Sequence, residues 1–381
     1  MRFLCQGTER RFSPSGHPPT RSSPHPRGEE TKVLSLLLLS SVLGGSVAET
    51  LIQPSAPGAA ISGGATVSPS LGASSVPPTW LAQTAPNAYR VPALQPDFTG
   101  SLWVGTWNGL VRIHPETGNI ERRVAMPGRT LEALTQDRVG RIWAGTFTGL
   151  VRVDPRTNEI TAQNFTLPSN RVLSLLIDHR GFLWAGTDRG LAMISPDRGL
   201  LMTTLQDLEG VSANALSLDG NHHLWVGTLD GLVQVNTATA FPMGRVRNLP
   251  GGAVQALALG PRGNLWVGTP AGLFVVDPVR SELVRSVTAM RDSNVQAIGF
   301  DRNRNVWVGT SDGLFHLRAD SGELLGRVTL LPSSQILSVA PGVGNKVWVG
   351  TSEGLGWVSQ LTGQGNLHRG LVSPQVLEAQ R

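Results

Sequence analysis

The stretch VWVGTSDGL, Val306 to Leu314, is one of seven versions of a single phrase. LWVGTWNGL starts at Leu102, IWAGTFTGL at Ile142, LWAGTDRGL at Leu183, LWVGTLDGL at Leu224 and LWVGTPAGL at Leu265, and VWVGTSEGL at Val347 ends the series. The tryptophans are residues 103, 143, 184, 225, 266, 307 and 348, spaced by 40 residues once and by 41 five times. A period this regular marks a repeat architecture, so the unit has to be read before any motif inside it.

Each unit resolves into four short strands. In residues 171–207, RVLSLLID is an apolar first strand turned by HRG, and FLWAGT is the second, turned by DRG. LAMIS is the third, turned by PDRG, and LLMTTLQ is the fourth. ANALSLD (213–219), AVQALAL (253–259) and NVQAIGF (294–300) are equivalent first strands. Four strands in about 41 residues is the period of a β-propeller blade, whereas leucine-rich repeats and β-helices have shorter periods. A helical repeat would place apolar residues at 3.6 spacing, which these units lack. The expected fold is all-β: a seven-bladed β-propeller of four-stranded blades over residues 79–381, preceded by a disordered N-terminal region.

Within the unit, the tryptophan is expected to pack on the neighbouring blade and the glycine after Val or Ala to admit close sheet approach. The threonine hydroxyl is expected to bond into the tight turn, and the second glycine to take a positive φ there. Ring closure removes exposed sheet edges, but two end segments compete for it. TWLAQTAPNAYRVPALQPD (79–97) reads as a fourth strand followed by a first, and SPQVLEAQ (373–380) reads as another first strand. One is surplus unless it pairs on the outside or the ring exceeds seven blades.

Composition agrees with many short strands: 15% of residues are charged, with 45 Gly and 26 Pro, and these two residue types cost most inside helices. The net charge of +5 is concentrated at the N-terminus, since residues 1–32 hold six Arg or Lys against three Asp or Glu. The remainder shows no basic run and a single lysine, Lys346. That pattern argues against a nucleic-acid partner, which requires clustered cations on one face. Cys5 is the only cysteine, so neither a disulfide framework nor a cysteine metal cluster is expected.

Lys32 precedes VLSLLLLSSVLGGSVAET, Val33 to Thr50. A basic residue, a short apolar run and the small-x-small ending Ser46-Val47-Ala48 form a secretory signal pattern. The run is too short for a comfortable span of about 20 residues. Cleavage is expected after Ala48, leaving a periplasmic or secreted protein with no stable membrane span. The 31 residues before Lys32 exceed a usual n-region and read as disordered or as a mis-assigned start. Residues 49–78 form a Ser/Ala/Gly/Pro-rich linker, with no charge from Thr50 to Tyr89, and cannot bury enough apolar surface to order themselves.

Five units carry an aspartate six residues before the tryptophan: Asp97, Asp137, Asp178, Asp219 and Asp301, with Gly260 and Gly342 in the other two. Three residues before the tryptophan stand Gly100, Gly140, Gly181 and Gly263, replaced by His222, Arg304 and Asn345 elsewhere. With the WVGTxxGL phrase, this pattern over about residues 87–371 resembles the two-component regulator propeller repeat. The resemblance implies an extracytoplasmic sensor region, in some members one that recognises carbohydrate, and does not imply enzyme activity. These 381 residues carry no kinase or response-regulator segment, so signalling is expected to run through a separate protein.

Gly309-Thr310-Ser311-Asp312-Gly313 also matches G-x-S-x-G, the hydrolase nucleophile elbow. Ser311, however, fills the same slot as Trp107, Phe147, Asp188, Leu229, Pro270 and Ser352. An elbow joins a strand to a helix, and this turn joins two strands. Residues 301–305, DRNRN, begin like a calcium loop, but Val306 replaces the turn glycine and two arginines repel a cation. His222-His223 lacks further ligands for zinc. No metal, cofactor or catalytic residue is therefore expected.

Binding surfaces are expected where the turns between strands two and three meet those between strands four and one, because the copies diverge there most. Blades one to three place Trp107, Asn108, Phe147, Asp188 and Arg189 in that slot, with Tyr89, Arg90, Asn170 and Arg171 in adjoining turns. Aromatic faces beside Asn, Asp and Arg suit a small molecule, glycan or protein partner. The expected function is a non-enzymatic ligand- or protein-binding sensor or scaffold. The alternative is a propeller lyase or glycan-active enzyme with its site at the channel mouth.

Overall fold

The computed structural model describes residues 89–163 and 165–379; the expected signal sequence, the expected linker and segment 79–88 lie outside the described residues. Seven separate antiparallel sheets each take four consecutive strands, paired in chain order. In blade one these are β1 (Ala93–Pro96), β2 (Leu102–Thr106), β3 (Gly109–Ile113) and β4 (Ile120–Ala125). The other blades begin at Leu131, Val172, Ala215, Ala256, Val295 and Ile336, and the last ends at Val372. The expected seven-bladed propeller is the observed fold.

Each repeat tryptophan packs on the next blade. Trp103 meets Ile142, Ala144, Val151 and Val153 of blade two, and Trp143 meets Leu183, Ala185 and Ile194 of blade three. The pattern continues round the ring until Trp348 of blade seven packs on Leu102, Val104, Val111 and Ile113 of blade one. Burying an indole in such a site contributes about 3–5 kcal/mol, judged by truncation to alanine.

The first repeat glycine makes that approach possible. A Cβ built on Gly145 would lie 2.5 Å from Val172 Cγ1, and one on Gly227 2.5 Å from Val254 Cγ1, both on the following blade. The second repeat glycine serves the turn, with φ between 98° and 150° in all seven copies. Threonine locks the same turn. Its Oγ1 accepts the N–H two residues on in every blade, as from Asn108 at 3.3 Å and Asp312 at 3.0 Å. In six blades it also donates to the carbonyl of that glycine, at 2.7 Å in Thr146, whereas Thr269 donates to Pro250 instead.

The aspartates fix the opposite end of each blade. Asp178 Oδ2 accepts Trp184 Nε1 at 3.1 Å and Arg180 at 2.8 Å. Asp178 Oδ1 accepts the N–H groups of Arg180 and Phe182 at 2.9 and 3.0 Å. Asp97, Asp137, Asp219 and Asp301 repeat the arrangement with Trp103, Trp143, Trp225 and Trp307 at 2.9–3.1 Å. Each has a basic neighbour, respectively Arg112, Arg141, His223 and His316. The turn residue three before the tryptophan has positive φ in all seven blades. His222, Arg304 and Asn345 at 65°, 62° and 53° therefore occupy a conformation that glycine takes without cost.

SPQVLEAQ is not a strand, contrary to the sequence expectation. Pro374–Glu378 is a short helix, α1, with Ser373 as its cap accepting Val376 N–H at 3.4 Å. Serine followed by proline starts a helix, because the hydroxyl satisfies an orphan amide and proline presets φ. Blade seven completes itself with Gly365–Val372, so the ring closes by face packing without strand exchange. Across the seam Val91 N–H donates to Thr351 O at 2.9 Å, Ser338 Oγ to Val91 O at 3.0 Å and Lys346 Nζ to Pro115 O at 2.9 Å. His368 Nε2 lies 2.7 Å from Gly118 O, and burial holds the imidazole pKa below its usual value.

Asp178→Ala strands the Trp184 indole and two amides, and is expected to cost about 3 kcal/mol in denaturant unfolding. Burial pushes the Asp178 carboxyl up, but the hydrogen bonds from Arg180, Trp184 and the two amides outweigh it, so its pKa is lowered. A lowered folded-state pKa stabilises above the unfolded value of about 4 and loses that contribution as pH falls through the folded pKa. Wild type should thus lose stability more steeply than Asp178→Asn between about pH 5 and pH 2. Arg304→Gly should stabilise by about 1 kcal/mol, raising Tm by about 2 °C in a thermal melt.

Candidate functional site

At the end of the ring bearing the GTxxG turns, backbone and side chain divide the work. In four blades the first variable residue of the turn gives its N–H to the carbonyl of the residue directly ahead of its blade's first strand. Phe147 donates to Thr130 O, Asp188 to Arg171 O, Ser311 to Asn294 O and Ser352 to Gln335 O, all at 3.2–3.3 Å. The turn is fixed through its amide, which leaves the side chain free to differ between blades.

The nine predicted residues fall into separate groups. Tyr89, Trp107 and Asn108 share one cavity of about 450 Å³, walled by Val91, Leu110, Val111, Val124, Gly370 and Leu371. It lies in the seam between blades one and seven, with Arg123 in its wall. Burial lowers the Arg123 pKa, which marks a partly desolvated cation. A second group is Phe147, Arg171 and Asp188: the Arg171 guanidinium lies 4.9 Å from the Phe147 ring centre. Asp188 Oδ1 is enclosed without a hydrogen-bond partner. Arg90 forms an ion pair with Glu132. Asn170 and Arg189 are exposed, and nothing joins them to either group.

Several residues at this end escaped the sequence reading. Glu132, Asn214, Gln255 and Gln296 occupy one repeat slot, eleven residues before the tryptophan. Gln255 Oε1, Gln296 Oε1 and Asn294 Oδ1 are enclosed and unpaired. Aligning the copies on tryptophan would have displayed that polar, varied slot; the Arg123 and Leu371 walls needed the ring closure and had no local signal.

Ser311 stands in a strand–turn–strand and its Oγ bonds Asp312 Oδ2 at 3.2 Å. The adjacent His316 instead stacks on Trp307, centroids 4.0 Å apart, beside Asp301. His222 stacks on His179 of the preceding blade at 4.4 Å, and His223 faces Gln234 and Asp219. Among the described residues no cluster of three or more His, Cys, Asp or Glu is arranged to hold a metal. No helix among them is long and apolar enough to cross a membrane.

These features define a β-propeller whose blades are fixed by one internal phrase. Residues 166–189 and 248–271 match the two component regulator propeller family; the chain is a seven-bladed propeller carrying two-component regulator propeller repeats. Its fold is similar to the extracellular domain assigned to a hybrid two component system of B. thetaiotaomicron, at 17% identity and a TM-score of 0.59. That match covers 71% of this chain, which spans 40% of the other. It is also similar to a streptogramin B lyase, at 14% identity and a TM-score of 0.62 over 73% of this chain and 95% of that one. Virginiamycin B lyase from Staphylococcus aureus matches at 13% identity and a TM-score of 0.59, over 70% and 92% respectively. No curated protein sequence matches. Identities this low relate the folds and leave the chemistry of the sites unlinked.

Proposed function

We propose that this chain is an exported, non-enzymatic sensor propeller that binds a small apolar ligand with an anionic group in the crevice between blades one and seven. The observation that carries this reading is the cavity of about 450 Å³ lined by Tyr89, Trp107, Asn108 and Arg123. Trp107 and Tyr89 offer aromatic faces, the Val and Leu walls exclude water, and Arg123 supplies a cation that burial strengthens toward an anion. The repeat family supports sensing, and the signal pattern ending at Ala48 supports a periplasmic or secreted location. The match to two component regulator propeller repeats makes a signalling protein the output partner in this reading.

The fold's occurrence in two lyases makes turnover the rival outcome. The test is a thermal-shift screen of the full chain against aromatic and aliphatic acids, followed by mass spectrometry of each hit. A ligand at about 100 times its Kd should add about 2.7 kcal/mol of stability. Trp107 is only half-buried, so Trp107→Ala should keep the fold while removing the shift. A hit that ignores Trp107→Ala, or that is converted to product, overturns the reading.

A further inference from the structure

Ring closure leaves one strand edge open in every blade. Among the described residues the fourth strand of each sheet pairs with the third alone. Its outward N–H and C=O groups are a template for another chain, and exposed charges on the strand are a common means of keeping one away. Six outer strands carry such a charge: Arg122, Glu159, Arg245, Glu282, Arg327 and Arg369. The outer strand of blade three, Leu200–Leu205, reads LLMTTL and has none. Thr204 stands twenty residues after its repeat tryptophan, the slot that Arg123, Arg245 and Arg327 fill in their own blades. Leu200, Leu201 and Met202 are exposed. The β-bulge at Met202 has a counterpart in five other blades, so it does not set this edge apart.

The two ends of the strand supply the charge that its middle lacks. Arg198 lies ahead of it and Asp207 behind it; both are exposed, and neither side chain has a hydrogen-bond or ion-pair partner among the described residues. Asp207 is four residues after Thr203, and Arg198 is four pairing positions before it once the bulged Met202 is passed over. A second copy of the strand, laid antiparallel about a two-fold axis at Thr203, therefore sets Leu200 against Leu205 and Leu201 against Thr204. It also brings each Arg198 to the Asp207 of the other copy. A copy laid parallel in the same register would set Arg198 beside Arg198.

We propose that this edge is a homodimer interface, in which the outer strands of blade three from two copies pair antiparallel and join two blades into one eight-stranded sheet. The pairing satisfies the open backbone groups and covers part of the Leu200–Met202 surface, and two Arg198–Asp207 pairs set its direction and register. The edge is self-complementary, since each end charge is met by the same strand of the second copy. Blade two separates this edge from the crevice between blades one and seven on one side, and blades four to six on the other. The dimer thus leaves that crevice open and does not depend on what it binds.

The test is sedimentation velocity of the full chain over about 1–200 µM, with a thermal melt of every variant to check its fold. Wild type should pass from monomer to dimer with a midpoint in about the micromolar range. Thr204→Arg, which gives the strand the charge of its sister blades, should hold the chain monomeric over that range and leave the melt unchanged. Arg198→Asp and Asp207→Arg should each raise the dissociation constant about tenfold or more. Mixing the two single variants should restore dimers, because each then meets the opposite charge in both pairs across the joint. A chain that stays monomeric throughout, a dimer that survives Thr204→Arg, or single variants that do not rescue one another overturns the proposal.

Discussion

Five of the seven blades are pinned by a hydrogen bond between an aspartate and a tryptophan six residues later. One carboxylate spends both oxygens on different levels of structure. Oδ1 takes two amides of the turn between strands one and two, and Oδ2 takes the indole and a nearby cation. The indole thus anchored is the surface on which the next blade packs. Turn, strand pair and blade interface are therefore positioned by one side chain. A buried carboxylate is costly unless each lone pair is matched, and here three N–H donors and a basic partner match it. Replacing the pair by apolar residues could keep the packing but would release the turn.

The glycines of the phrase have a complementary duty. Gly145 and its equivalents remove the Cβ that would strike the next blade, while the following turn is closed by threonine and a glycine of positive φ. With the backbone satisfied, the slot filled by Trp107, Phe147, Asp188, Leu229, Pro270, Ser311 and Ser352 carries no folding requirement of its own. Variation there costs little stability, which is why differences in chemistry collect at that end of the ring.

The same logic sets how far the sequence could be read. Blade count, strand order and the roles of Trp, Gly and Thr were legible because seven copies average out local ambiguity. The aspartate was legible as a repeated letter, but its geometry was not, since nothing in the spacing says which donors it meets. SPQVLEAQ was misread because its apolar letters suit a strand, while the Ser-Pro cap acts through a local hydrogen bond. At the rim, Tyr89 and Trp107 line one cavity, whereas Phe147 and Arg171 form a separate pair. Grouping them required the angular position of each blade, and a linear repeat does not contain that. Glu132 and Arg123 were missed for a related reason: Glu132 pairs with Arg90 ahead of blade one, and Arg123 shares its cavity with Gly370 and Leu371 of blade seven.

Closure without strand exchange concentrates a particular burden on one seam. The other six interfaces are joined covalently by a short connection, whereas blades seven and one meet through packing around Trp348 and the contacts of Val91, Lys346 and His368. This is the interface whose opening costs least chain entropy to permit. The cavity described above lies in that seam, with Trp107 and Arg123 on one wall and Gly370 and Leu371 on the other. A molecule that touches both walls binds the closed ring and not the open one, so its binding free energy is added to closure. Occupancy of the crevice and rigidity of the ring are then two readings of one equilibrium.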